Sequence, residues 1–509
     1  MTDTASTDAN TAGTAPDALE DALFHPRGIA IVGVPSNPDA ERIGSFLGSL
    51  LEQGYEQRHG LYPVNPKMTE VAGLRCYPTL LDIEEPVDHV ISMVPARVVP
   101  TLVDQAIEKG IRSIHFFTAG FSETGDPAMV AAERELIGKL TTAGIRAIGP
   151  NCMGLYVPSE QIAFMDGFPK EPGEVFLLSQ SGANAGDIIH GLARRGVRFS
   201  KAVSFGNGAD VKAHHLLDYA ARDPETKVVA AYMEGVQEGR RFFEALKRCA
   251  AVKPTVILKG GIHAAGARAA NSHTGSLAGS IQIFEAACRQ AGAMRAGTMD
   301  DLHDLVVTLT TQARHVRGTG VVLVSGGGGY AVLASDAIAT AGLDVPPMPR
   351  ETVEALREFI PVAGTSVNNP IDTNVRGSDE MRRTLEIVAS AAPTDVVFTN
   401  AAWGGGGPWG GATDEPDELP ENERIERAEE SARRAATMLS ELQVETGTPF
   451  AAIERTRSYD PISGHAADAY ALAAHEQDVA VYPNVARAAR AIGLLLRWRS
   501  RREGLPELF

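Results

Sequence analysis

Apolar runs of strand length alternate with longer, helically spaced segments along most of this chain. The runs Gly28-Ile29-Ala30-Ile31-Val32-Gly33-Val34, Glu174-Val175-Phe176-Leu177-Leu178, Val228-Val229-Ala230-Ala231-Tyr232-Met233, Thr255-Val256-Ile257-Leu258-Lys259 and Gly320-Val321-Val322-Leu323-Val324 are continuously apolar rather than alternating. That is the pattern of strands covered on both faces, as in a parallel sheet between helix layers. Each run leads into a turn rich in Gly, Ser, Asn or Glu and then a helix, beginning near Ala183 after the second run and spanning Ala331 to Ala341 after the last. The pattern predicts an α/β protein of three doubly wound domains, at 21–155, 170–312 and 318–500, behind a polar tail at 1–20.

Length and composition agree, since 509 residues at 44% hydrophobic suit about three domains. The first eighteen residues contain no Lys or Arg and no apolar core, so they read as a disordered tail and neither a secretory nor a transit peptide. No run reaches membrane-span length. A net charge of −17 argues against a nucleic-acid surface, although a local cationic pocket remains open to an anionic ligand. Cys76, Cys152, Cys249 and Cys288 are scattered without metal spacing. No metal site is expected, and a reducing compartment, the cytoplasm, is. A catalytic thiol at Cys152 is rejected, because no basic neighbour in sequence would lower its pKa.

Chemistry enters at the strand ends. Ser179-Gln180-Ser181-Gly182 turns into a helix whose free amides suit an anion, and which an ordinary serine cap explains equally well. Glu234 ends the third run quoted above, where a carboxylate can orient an imidazole or merely be solvated. His273 lies in Asn271-Ser272-His273-Thr274-Gly275-Ser276-Leu277-Ala278-Gly279-Ser280, a small-residue loop that leaves an imidazole room to act as a nucleophile or to sit as a plain loop residue. Lys67 ends Leu61-Tyr62-Pro63-Val64-Asn65-Pro66-Lys67 and alone reads as a solvated lysine. A GxGxxG fingerprint is absent after the first strand, which weakens a dinucleotide reading.

Taken in order, Ser179-Gln180-Ser181-Gly182, Ser204-Phe205-Gly206-Asn207-Gly208-Ala209-Asp210, Tyr232-Met233-Glu234-Gly235 and the His273 loop resemble the nucleoside-diphosphate-forming acyl-CoA synthetases, relatives of the succinyl-CoA synthetase α subunit. Ile148-Gly149-Pro150-Asn151-Cys152-Met153-Gly154 is close to the same family's signature, and Asn369-Pro370-Ile371-Asp372 and Val481-Tyr482-Pro483-Asn484, with a closing helix from Val485 to Trp498, resemble its last domain. The resemblance implies a Rossmann-like CoA-binding domain followed by two flavodoxin-like domains. It implies that His273 is phosphorylated during turnover, that Glu234 stabilises it, and that Ser179, Ser181 and Gly182 hold the phosphate. It implies CoA contacts from Gly33, Pro35, Ser36, Asn37, Lys67, Val94, Pro95, Thr118, Ala119 and Asn151.

Two departures stand out. Gly328-Gly329-Tyr330 replaces the Pro-Gly pair and branched residue usual in relatives, and Trp403 to Gly411, followed by an acidic stretch from Asp414 to Glu430, is not predicted by the family pattern. It reads equally as a substrate lid, a subunit contact or a flexible loop. No GxxxxGK[ST] loop occurs, and the segment after Trp498 leaves no room for the ATP-grasp module that the family needs. The expectation is an α-type subunit with CoA and a small carboxylic acid as substrates. ADP or ATP and Mg²⁺ would be held mainly by an ATP-grasp β-type partner, in an α2β2 assembly or around a homodimer of this chain. The alternatives are a CoA-binding regulatory or scaffold protein, and an acyl or carbamoyl transferase that uses CoA and phosphate without ADP.

Overall fold

The computed structural model describes residues 23–35, 46–266, 268, 280–373, 378–401, 420–454 and 461–504. The tail, Ser36, Asn37, His273 and the Trp403–Gly411 stretch lie outside the described residues. Contacts divide the chain into two compact units. The first takes the described residues up to Asp166 together with Ser204–Asp223, and the second takes Gly167–Val203 and the described chain from Pro224 onward apart from its His273 loop.

In the first unit, β1 (Gly28–Val32), β2 (Gly60–Val64), β3 (His89–Ser92), β4 (Ser113–Phe116) and β5 (Arg146–Ile148) form a parallel sheet in the order β2-β1-β3-β4-β5. Every residue of β1, β3 and β4 is buried, which is why their sequences show no polar alternation.

The second unit holds two further sheets. Strands β6 (Val175–Ser179), β7 (Phe199–Ser204), β8 (Val228–Met233), β9 (Thr255–Lys259) and β10 (Met294–Ala296) run in the order β10-β9-β8-β6-β7. Strands β11 (Val321–Ser325), β12 (Ile371–Asp372), β13 (Val396–Asn400), β14 (Phe450–Ile453) and β15 (Ala480–Tyr482) run β12-β11-β13-β14-β15, all parallel. Numbered in chain order, the five strands given for each sheet follow the order 2-1-3-4-5. Each therefore has a switch point between its first and third strands, where doubly wound folds open a crevice beyond the strands' carboxyl ends.

Within the second unit, α1 (Met299–Leu309) joins one sheet to the other through ion pairs to α2 (Val485–Glu503). Asp304 accepts from Arg195 Nη1 at 2.7 Å and from Arg487 Nε and Nη2 at 2.6 and 2.9 Å, and Asp301 accepts from Arg490 Nη2 at 2.8 Å. Trp498 Nε1 donates to Gly292 O at 2.7 Å. Burial works against ionisation of Asp301, but the Arg490 guanidinium outweighs it and holds the carboxyl below its usual range.

The acidic stretch read as an insertion is in part helical. From Glu421 it forms a helix to Thr446 whose Ala432, Ala436, Leu439 and Leu442 are buried at helical spacing. Among the described residues no helix is long and apolar enough to cross a membrane.

Candidate active site

The turn after β6 begins a helix, Gly182–Ala193. Ser181 caps it, accepting from Asn184 N at 3.3 Å, while Ser179 Oγ donates to Ser181 O at 2.7 Å and accepts from Ser181 N at 3.2 Å. The serines thus shape the turn itself. The amides of Gly182 and Ala183 have no intrahelical acceptor by helix geometry, and they carry the positive end of the helix dipole.

Across the switch point, β8 ends at Met233 and Glu234 follows. Gln180 Oε1 accepts from Glu234 N at 2.5 Å and from Gly235 N at 2.9 Å, which fixes the Glu234 turn against the β6 turn. Tyr232 OH donates to Glu234 Oε1 at 3.3 Å. Burial first, and then the Glu234 charge, push the Tyr232 hydroxyl up to about 12, so it remains a donor at neutral pH. From β9, Lys259 Nζ donates to Glu234 O at 2.6 Å and also to Gly260 O. Ser179, Gln180, Ser181, Glu234 and Lys259 are each 7% exposed or less. Polar groups so deeply buried need partners, and several of these serve one another. Such an arrangement presents amide donors, a fixed carboxylate and an ammonium at the switch point where the loop after Gly260 departs.

The described residues among those expected to contact CoA lie in the first unit, at the carboxyl ends of consecutive strands. Gly33 follows β1 at φ +95°, and a Cβ there would lie 3.0 Å from Val94 Cγ1 and 3.1 Å from Met93 C, so the two switch-point strands approach through a glycine. Pro35 is exposed beyond it. Lys67 is exposed past β2, its amide donating to Asn65 Oδ1 at 2.9 Å, and Asn65 Nδ2 in turn donates to Val34 O at 2.6 Å. Beyond β3 and β4, Thr118 Oγ1 donates to Val94 O at 2.7 Å, with Pro95 and Ala119 exposed beside them. Asn151, past β5, donates its amide to Thr118 O at 3.0 Å.

The Ser204–Asp210 motif packs on this same unit. A Cβ on Gly206 would fall 2.3 Å from Asn151 O, Asn207 Nδ2 donates to Glu123 Oε2 at 2.6 Å, and Asp210 receives Arg146 Nε at 2.9 Å. Burial opposes ionisation of Glu123, but Asn207 and the amides of Gly120 and Phe121 overcome it and lower its pKa.

All four cysteines are buried and outside any disulfide, and burial pushes the Cys152 thiol well above its ordinary value, away from nucleophilic use. In the third sheet, the glycine turn after β11 opens the helix Gly328–Thr340, one turn earlier than the sequence suggests. Asp372 Oδ1 accepts from Gly327 N at 2.8 Å, and together with Asp336, Ser335 and Thr365 it lines a cavity of about 510 Å³. Sequence reasoning assigned no role to Gln180 or Lys259. A charged residue closing a fully buried strand was the available signal for the lysine.

Residues 27–158 match the CoA binding domain family, 172–309 the succinyl-CoA ligase like flavodoxin domain, and 321–387 the ligase-CoA domain. The α subunit of acetate–CoA ligase [ADP-forming] II from Pyrococcus furiosus is 36% identical over 380 residues, 74% of this chain and 81% of that protein. Acetate–CoA ligase [ADP-forming] I from Archaeoglobus fulgidus is also 36% identical, and there the match spans 54% of the relative's length. A dinucleotide-forming acetyl-coenzyme A synthetase 1 from Ca. Korarchaeum cryptofilum, solved with phosphate and ADP, superposes with a TM-score of 0.74 at 26% identity, covering 95% of this chain and 97% of that one. At 36% identity over 74% of its length and 81% of that α subunit, the chain belongs to the ADP-forming acyl-CoA ligase family.

Proposed function

We propose that this chain is the α-type subunit of an ADP-forming acid–thiol ligase, which interconverts acyl-CoA, ADP and phosphate with carboxylic acid, CoA and ATP. The observation that supports the reading is that Gln180, in the turn that opens the helix at Gly182, and Lys259 both hold the Glu234 turn. Phosphate held at that helix start attacks the thioester carbonyl, the C–S bond breaks, and CoA leaves with an acyl phosphate remaining. A ring nitrogen of His273 then attacks phosphorus, and the acid departs with the bridging oxygen. Glu234 orients the imidazole and balances the positive charge that develops on it. Transfer of the phosphoryl group from His273 to ADP takes place on an ATP-grasp β-type partner, which brings the nucleotide with its Mg²⁺. Phosphoryl transfer needs positioning and charge stabilisation above all, and these buried donors supply both.

In the same reading CoA lies along Gly33, Pro35, Ser36, Asn37, Val94, Pro95, Thr118, Ala119 and Asn151, with Lys67 meeting its phosphorylated nucleotide. The assembly is α2β2 or is built on a homodimer of this chain, in the cytoplasm, where four cysteines outside any disulfide stay reduced.

The test incubates the protein and its nucleotide-binding partner with labelled phosphate and a panel of acyl-CoA thioesters. Acid-labile, alkali-stable label is expected on wild type and none on His273→Ala, with CoA binding unchanged. Equal labelling of the variant overturns the reading.

A further inference from the structure

Lys259 closes β9 with its ammonium buried at 5% exposure. An ammonium has three N–H donors. One goes to the carbonyl of Glu234 at 2.6 Å and one to the carbonyl of Gly260. Those carbonyls belong to the turns that end β8 and β9, neighbours in the sheet with Met233 registered against Lys259. Strand pairing does not require the lysine, because Gly260 N already donates to Met233 O at 2.8 Å and closes the ladder there. Packing does not require it either. Its contact with α-helical Phe284 is a cation over a ring 6.0 Å from the centroid, a place an uncharged side chain would fill without loss of hydration.

We propose, resting on the reading above, that Lys259 is a positioning residue of the phosphoryl site: its ammonium ties the Glu234 turn to the turn at Gly260, upstream of His273 in sequence, and holds fixed positive charge there. Two consequences follow from the chemistry. The Glu234 peptide is clamped from both sides, its N–H by Gln180 and its carbonyl by Lys259, so the carboxylate departs from a backbone with little freedom. The buried ammonium also keeps fixed positive charge beside that turn, which favours a negatively charged group in a water-poor site. Burial lowers the pKa of this ammonium, and the charge of Glu234, the ionised group felt there among the described residues, opposes that shift. Activity that depends on the charged form is therefore lost on the alkaline side earlier than an exposed lysine would allow.

The experiment compares wild type, Lys259→Arg and Lys259→Met, each with the nucleotide-binding partner, in phosphoenzyme formation from acyl-CoA and labelled phosphate across neutral to alkaline pH, with CoA affinity and thermal melting measured in parallel. Lys259→Met is expected to form phosphoenzyme about 100-fold more slowly, the scale of a displaced reacting group, with CoA affinity unchanged. Lys259→Arg stays charged at every pH tested and is expected to move the alkaline limb upward. A Lys259→Met protein that phosphorylates at the wild-type rate overturns the proposal. If that variant does not fold, the arginine variant decides alone, and an alkaline limb identical to wild type overturns it. Absence of label on wild type with every thioester fails the parent reading, whereas a labelled wild type with indifferent lysine variants fails this inference only.

Discussion

The side-chain oxygen of Gln180 takes the backbone amides of both Glu234 and Gly235, so one glutamine ties together two strand-end turns that lie 54 residues apart in sequence. Gln180→Leu would leave two buried amides without acceptors. A loss of about 1–3 kcal/mol in unfolding free energy is expected, the cost of an unsatisfied buried group. Phosphoenzyme formation should fall with it, because the Glu234 turn loses its anchor. Denaturant titration and the labelling assay check the two effects separately.

Glu234→Gln keeps size and hydrogen-bonding atoms while removing the charge. The fold should survive, since Tyr232 can donate to the amide oxygen as it does to the carboxylate. The phosphohistidine should form more slowly or decay faster by about 10- to 100-fold, the scale of losing charge stabilisation. Unchanged yield and lifetime in a pulse-chase experiment would leave Glu234 a structural residue.

Gly206 and Gly208 make a paired test within one motif. A methyl on Gly206 meets Asn151 O at 2.3 Å and Pro150 O at 2.4 Å, both backbone atoms, whereas on Gly208 it meets the Phe205 ring at 3.3 Å. Both residues have positive φ, +52° and +63°, so each alanine carries roughly 1–2 kcal/mol of backbone strain. Gly206→Ala should in addition push the Asn151 turn aside, lowering thermal stability more than Gly208→Ala and weakening CoA binding. Calorimetric melting and CoA titration of the two variants check the ranking.

Acid should destabilise the protein before most carboxylates titrate. Burial lowers His115, His303 and His475 each to about 4, with neighbouring arginines adding to the effect for the last two, whereas a histidine in the unfolded chain titrates near 6.5. The unfolded state therefore binds more protons between those values. The stabilisation is complete above about pH 6.5 and is lost as pH falls towards 4, each group giving up about 1.4 kcal/mol for every tenfold by which folding weakens its hold on a proton. Urea midpoints measured from pH 7.5 to 4.5 should fall steadily through this window. His475→Gln, which can keep a hydrogen bond to Thr310 Oγ1, should flatten the slope.

Strands β8 and β9 lie where the apolar runs put them, residue for residue, because continuous burial on both faces leaves a local signature. The helix after the glycine turn starts at Gly328 rather than Ala331, and the turn before it is held by Gly327 N donating to the Asp372 carboxylate, a partner from another strand 45 residues away. Read as part of an insertion, the acidic stretch showed its charge and not its buried Ala432, Ala436, Leu439 and Leu442, which follow further along the same helix. In the site, Ser181 and Glu234 announced themselves by motif. The roles of Gln180 and Lys259 depend on β6, β8 and β9 being neighbours, and strand order is a property of the whole sheet that no local window contains.

The ion pairs between α1 and α2 set how this protein can be dissected. A fragment ending just before β11 would keep the sheet bearing Gln180, Glu234 and Lys259 but would strip Asp301 of Arg490 and Asp304 of Arg487. Asp304 would still pair with Arg195, but the buried Asp301 carboxyl would lose its arginine partner. The sheet that carries Gln180, Glu234 and Lys259 is thus tied to the closing helix by charged contacts. Any exchange of it between relatives has to carry the closing helix along.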